Sequence, residues 1–147
     1  MTFLADDIKA VLTESPAIGV DGAMSPSGTW PIFIATLPAS PENAIQVTET
    51  GGTPPHPSLL LDYLTAQIMV LAAENAYQAG RQKAQDIKDR LLGIFSRAVG
   101  TNWWVSVIMV GDIVYLGKDE TNHHLFSNNF RFIVEPGASA LTHRTAL

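Results

Sequence analysis

From Asn75 to Phe95, apolar or small residues recur at Tyr77, Gly80, Ala84, Ile87, Leu91 and Ile94. Steps of three and four draw one stripe down an α-helix, and Arg81, Gln82, Gln85, Asp86, Lys88 and Asp89 fill the opposite face. Asn75 is the expected N-cap, because its short side-chain oxygen can accept an orphan backbone N–H, and Gln78 three residues on completes the outline of a capping box. Gly93 or Gly100 is placed to end the helix. A helix with one apolar stripe must lay it on something, and the β-rich segments on either side are the obvious layer.

Leu4, Ile8, Val11 and Leu12 mark a shorter first helix over Phe3 to Ser15, stopped by Ser15 and Pro16 because the residue before a proline is driven out of the α region. Asp21 to Gly28 is Gly-, Ser- and Pro-rich and reads as a surface loop. Trp30 to Leu37 is dense in β-branched and aromatic residues and reads as a strand. Pro38 to Asn43 is turn chemistry, and Ala44 to Thr50 alternates Ile45 and Val47 against Gln46 and Thr48. Together these predict a β-hairpin with one buried face. Gly51 and Gly52 are expected to break its second strand, and Pro54, Pro55 and Pro57 to hold the next connector extended.

Leu60 to Leu71 predicts a third strand, with Leu64, Ala66, Ile68 and Val70 on one face and Tyr63, Thr65, Gln67 and Met69 on the other. Trp103 to Val110 predicts a fourth, alternating Val105, Val107 and Met109 with Trp104, Ser106 and Ile108. After a polar turn at Gly117 to Asn122, Leu125 to Glu135 supplies a fifth, with Phe130, Phe132 and Val134 inward and Asn129 and Arg131 outward. The expected fold is a single α+β domain over residues 1–137, a mostly antiparallel sheet of about four to five strands with two helices on one face. Residues 138–147 are expected to form a flexible tail.

The length of 147 residues fits one domain on the prior of about 100 to 200 residues. A charged content of only 16% hints that part of the surface is covered by a partner. The formal charge of -5 argues against a general nucleic-acid binder, which would carry a basic patch. Asp6 and Asp7 stand where an export signal wants positive charge, and the apolar stretch at Ile68 to Ala73 is far below the 18 or so residues of a spanning helix, so the chain reads as soluble, with no membrane partner.

Candidate chemistry is sparse. His123 and His124 lie near Asp119 and Glu120, but adjacent histidines on a strand point to opposite faces, so a solvated turn is favoured over a metal or acid/base site. His56 and His143 are isolated and expected to be exposed. No nucleophile elbow, zinc-protease helix or phosphate-cradling glycine loop occurs, and there is no cysteine for a thiol nucleophile. Pro54 to Pro57 fits the loose Pro-x-x-Pro pattern of SH3 ligands, but a rigid connector is the simpler reading. Of the paired Trp103 and Trp104, strand alternation sends at most one inward, and the other is a candidate subunit contact.

Set in this order, the motifs resemble the bacteriophage minor capsid or tail terminator (tail completion) family. The resemblance is carried by Pro38-x-x-Pro41-x-Asn43-Ala44-Ile45, then Glu49-Thr50-Gly51-Gly52 with prolines after it, then a strand and the helix containing Ala84 to Leu92 and Gly93. Tyr115 to Glu120, followed by Ser127 to Glu135, is similar to the family's loop and closing strand. The likeness runs from about Phe3 to Glu135. Relatives often carry an arginine near the end of the third strand, where this chain has Leu71-Ala72-Ala73, so a polar contact made there is missing or replaced.

The resemblance implies a structural virion protein, assembled in the host cytoplasm and placed at the tail–neck junction. A ring of about six subunits, joined by heterologous interfaces, would cap the head-proximal end of the tail tube, stop its polymerisation and join it to the neck. The implied partners are other copies of the chain, the tail tube protein, the neck or connector protein and passing genomic DNA held without specific binding. No enzyme activity, cofactor or metal is implied. The expected interaction residues are Glu49, Thr50, Gly51, Gly52, Pro54, Pro55, Trp103, Lys118, Asp119 and Glu120. The alternatives are another phage neck or head-completion protein, and a small hydrolase or ligand-binding α+β domain, which would need a pocket with converging polar groups.

Overall fold

The computed structural model describes residues 2–14, 20–21, 30–37 and 43–147. The expected loop at Asp21 to Gly28, the turn at Pro38 to Asn43 and the helix stop at Ser15 and Pro16 lie wholly or largely outside the described residues. The elements are α1 (Leu4–Thr13), β1 (Val20–Asp21), β2 (Pro31–Ile34), β3 (Ala44–Thr53), β4 (Asp62–Ala72), α2 (Tyr77–Leu91), β5 (Phe95–Val99), β6 (Asn102–Met109), β7 (Val114–Lys118) and β8 (His124–Glu135). They form one sheet in the order β1-β2-β3-β4-β8-β6-β5, with β7 also paired to β8. The α+β class is as expected, but among the described residues the sheet has eight strands rather than four or five, and it is mixed.

Its centre is the antiparallel β4–β8 pair, which sets Val70 opposite Phe126, Ile68 opposite Asn128, Ala66 opposite Phe130 and Leu64 opposite Phe132. Directly opposed residues share a face, and that face, with Ile45 and Val47 of β3, packs into one cluster with Ile8, Val11 and Leu12 of α1 and Ala84, Ile87 and Leu91 of α2. The alternation predicted for β4 and β8 is therefore realised. Asn128 enters this core because its Nδ2 donates to the Ala84 carbonyl at 3.1 Å, tying α2 to the sheet. The helix sits so close that a Cβ at Gly80 would lie 2.5 Å from the Ala72 Cβ and 2.9 Å from the Phe126 ring. Glycine at 80 is what lets α2 approach the sheet this closely at Ala72 and Phe126.

Several expectations are corrected. The hairpin of β2 and β3 is instead a parallel pair, Ile32 opposite Ile45 and Ile34 opposite Val47. Asn43 Oδ1 accepts the Ala73 N–H at 2.9 Å, which starts β3 at the far end of β4 and runs it back antiparallel, leaving its other edge to β2. A tight turn cannot join parallel neighbours, and Ala35, at φ +63°, first turns the chain away from β2. Gly51 and Gly52 do not break β3, which continues to Thr53 through a bulge at Thr50. They let the backbones close up instead: a Cβ at Gly52 would lie 2.0 Å from the Tyr63 carbonyl oxygen.

Asn75 does not cap α2. The N-cap is Ala76, without a side-chain cap, because Glu74 and Asn75 form a turn closed by the Ala76 N–H on the Ala73 carbonyl at 2.9 Å. The helix ends at Leu91, before Gly93 at φ +89°, so Ile94 lies beyond it and Phe95 opens the unforeseen β5. Gly117 and Lys118 belong to the equally unforeseen β7 rather than to the turn. In β6 a bulge at Val105 breaks the predicted alternation: Trp104 and Val107, placed on opposite faces by a regular strand, are both buried, and Val105 is only half-buried. Among residues 138–147, Thr145 pairs with the connector, its carbonyl accepting from Leu60 N–H and its N–H donating to Ser58, both at 2.8 Å.

Candidate functional site

The expected interaction residues fall at opposite ends of the sheet. Thr53 is opposite Tyr63, Tyr63 opposite Ile133 and Trp103 opposite Glu135, so Glu49, Thr50, Gly51, Gly52, Pro54, Pro55 and Trp103 gather at one end. Lys118 is opposite His124, and His124 opposite Ala72, which puts Lys118, Asp119 and Glu120 at the other. All ten are exposed except Asp119, which is half-buried.

At the first end the connector is held by hydrogen bonds as well as by its prolines. His56 is half-buried rather than exposed, because its Nδ1 accepts the Ser58 and Leu59 N–H groups at 3.2 and 3.0 Å. Arg144 Nη1 reaches the His56 carbonyl at 3.3 Å and the Asp62 carboxylate at 2.8 Å. Thr50 Oγ1 donates to Thr65 Oγ1 at 2.8 Å, fixing the bulge to β4.

At the second end Asp119 organises the turn. Its Oδ1 accepts the Thr121 N–H and hydroxyl, both at 2.9 Å, and the His123 N–H at 2.8 Å. Desolvation works against its charge, but these hydrogen bonds from His123 and Thr121 prevail and hold its carboxyl below the usual range. His124 is a buried strand residue rather than part of a solvated turn. Its Nε2 lies 2.8 Å from the Glu74 carbonyl and so donates, which leaves Nδ1 to accept the Tyr115 hydroxyl at 2.9 Å. Tyr77 packs edge-on against Tyr115, with ring centroids 5.1 Å apart. No group of three or more His, Asp or Glu among the described residues is arranged to hold a metal, and no helix among them is long and apolar enough to cross a membrane.

A cavity of about 240 Å³ opens between the start of α1 and the first end of the sheet, lined by Asp7, Glu49, Asp62, Leu64, Asn102 and Val134 among others. Below the roughly 300–1,000 Å³ of sites for drug-sized ligands, it is not a substrate pocket of ordinary size. Asp7, only 2% exposed, accepts Asn102 Nδ2 at 2.7 Å, and Asn102 also donates to the Thr2 carbonyl and accepts the Gly137 N–H, each at 3.0 Å. This clip joins α1, β6 and the end of β8. Sequence reading missed it, since Asp7 resembles any exposed acid of a first helical turn.

Burial raises the Asp7 carboxyl above its ordinary range, against the pull of Asn102 and Thr2. The folded state therefore keeps this proton longer than the unfolded chain, so Asp7 erodes stability as pH rises from the unfolded value of about 3.9 through the folded one. Asp7→Asn removes that dependence while keeping an acceptor for Asn102. Urea midpoints measured from pH 4 to pH 7 are expected to rise for the variant relative to the parent as pH increases; a constant deficit at every pH would contradict this.

A family model described as bacteriophage tail terminator protein matches residues 17–136, most of the chain. No curated protein matches the sequence.

Proposed function

Because the chain belongs to the bacteriophage tail terminator family, we propose that it is a structural part of the virion, a ring of about six copies joined by heterologous interfaces. The ring caps the head-proximal end of the tail tube, stops tube growth and offers its other side to the neck. One observation carries this reading: the two exposed segments project from opposite ends of a single hydrogen-bonded sheet. Its central strands, β4 and β8, have 11 and 12 residues, a length of about 35 Å at the usual strand rise. One rigid body thus carries one docking end for the tube and a different one for the neck. The chain's charge of -5 suits a passage for DNA, since phosphate adhesion depends on Lys and Arg. Nothing in this role requires a catalytic group.

The test is location. With an epitope tag after the exposed Leu147, gold-labelled antibody on whole virions is expected at the head–tail junction alone. Label along the tube, at the distal tip or on the capsid contradicts the reading.

A further inference from the structure

We propose that neighbouring copies join edge to edge, with Val114–Lys118 of one copy adding as an antiparallel strand to Glu49–Thr53 of the next. This rests on the ring reading above and specifies the contact that closes it. Among the described residues β7 pairs with β8 alone, and Val114, Tyr115 and Leu116 are 47%, 44% and 50% exposed. An apolar strand with an open edge is a template for another chain. The opposite border of the sheet has a second opening, because β2 covers β3 only as far as Val47. From Thr48 to Thr53 no strand among the described residues lies on the outer edge of β3. Two different openings on opposite borders are what a head-to-tail ring needs.

Direction agrees. β3, β4, β8 and β7 alternate antiparallel. Because their number is even, the β3 of a rotated copy runs antiparallel to the β7 it meets.

Register follows from faces and charge. Lys118 lies across from His124 and Glu49 across from Ala66, which places both on the helix-covered face. Pairing Lys118 with Glu49 matches the charged residue of each segment and sets Tyr115 opposite Gly52, again both on the helix face, and Val114 opposite Thr53, both on the other. The bulky Tyr115 and Leu116 then meet the bare backbone of Gly52 and Gly51. A slip of one residue would break this facing along the whole strand. Lys118 is free to exchange partners, since its contact with the exposed Glu74 is a long 3.8 Å surface pair.

The same register also closes a ring. Lys118 is level with Asn43 of its own copy, six residues from Glu49 along β3, so the next copy is staggered by about 20 Å. Four strand spacings make a width of about 19 Å, and the two together tilt the strands by about 45°, at the upper end of the 35–45° typical of closed sheets.

The chain has no cysteine, which makes the test clean. Virions are grown with the double variant Lys118→Cys, Glu49→Cys supplied in place of the parent chain, oxidised, and run on non-reducing gels. Directly opposed strand residues bring their Cβ atoms to about 4.5–5.5 Å, close enough for a disulfide after slight adjustment. The expected result is a ladder of covalent oligomers, absent from the pair Val114→Cys, Glu49→Cys, which is four residues out of register. A lysine-reactive cross-linker on the same virions separates the ways of failing. Oligomers with that reagent but no disulfide ladder overturn the edge pairing and leave the ring standing. Monomers with both chemistries overturn the ring and the pairing together.

Discussion

Trp104→Ala is expected to lower the free energy of unfolding by about 3–5 kcal/mol, the range for deleting a large aromatic from a core. Trp103→Ala, one position earlier, is expected to change it by only about 0.5 kcal/mol, as surface substitutions do. The two side chains share a chemistry and differ in facing: Trp104 is 0% exposed and lies 5.0 Å from the Phe132 ring between centroids, whereas Trp103 is 42% exposed. Urea denaturation of both variants reads the difference directly. Equal losses would mean that the facing of β6 is wrong. The effect of Trp103→Ala is expected on particle assembly instead, since this residue stands among the exposed groups at the first end of the sheet.

Gly52→Ala should also be severe, for a different reason. The residue sits at φ +138°, and the added carbon would lie 2.0 Å from a backbone oxygen of β4 that has no rotamer to escape into. Backbone strain of this kind costs about 1–3 kcal/mol before any clash is counted, and relief requires separating β3 from β4 near its end. Gly51→Ala is the control. At φ +94°, with nothing within 4 Å of the new carbon, it should lose only the roughly 1–2 kcal/mol of a left-handed residue. A thermal-melt series in which Gly51→Ala is the worse of the two would contradict the close approach at Tyr63.

These two cases also mark how far the chain could be read unaided. The long β4 and β8 and the body of α2 were legible because one face of each is buried along most of its length, and burial on one face is what hydrophobic period reports. Bulges defeat that reading. Thr50, Val105 and Leu116 each add one residue to a strand, and beyond each the facing is shifted, so Trp104 and Val107, which a regular alternation puts on opposite faces, are both buried. The strands β5 and β7 were invisible because they bury almost nothing: four of the five residues of β7 are exposed. The pairing of β2 with β3 could not be read either, since turn residues between two strands indicate a change of direction but not the edge to which the chain returns. Of the candidate interaction surface, both segments were legible as polar or proline-rich breaks in pattern. Their placement at opposite ends of one sheet depends on strand order, which no local pattern encodes.

In the proposed role this chain stops the tail tube and joins it to the head. A stop codon at Lys9 in the parent phage, followed by infection of a non-suppressing host and negative-stain electron microscopy of the lysate, tests it most directly. Overlong or ragged tails beside filled, unattached heads are expected. Normal joined virions with tails of parental length would contradict it.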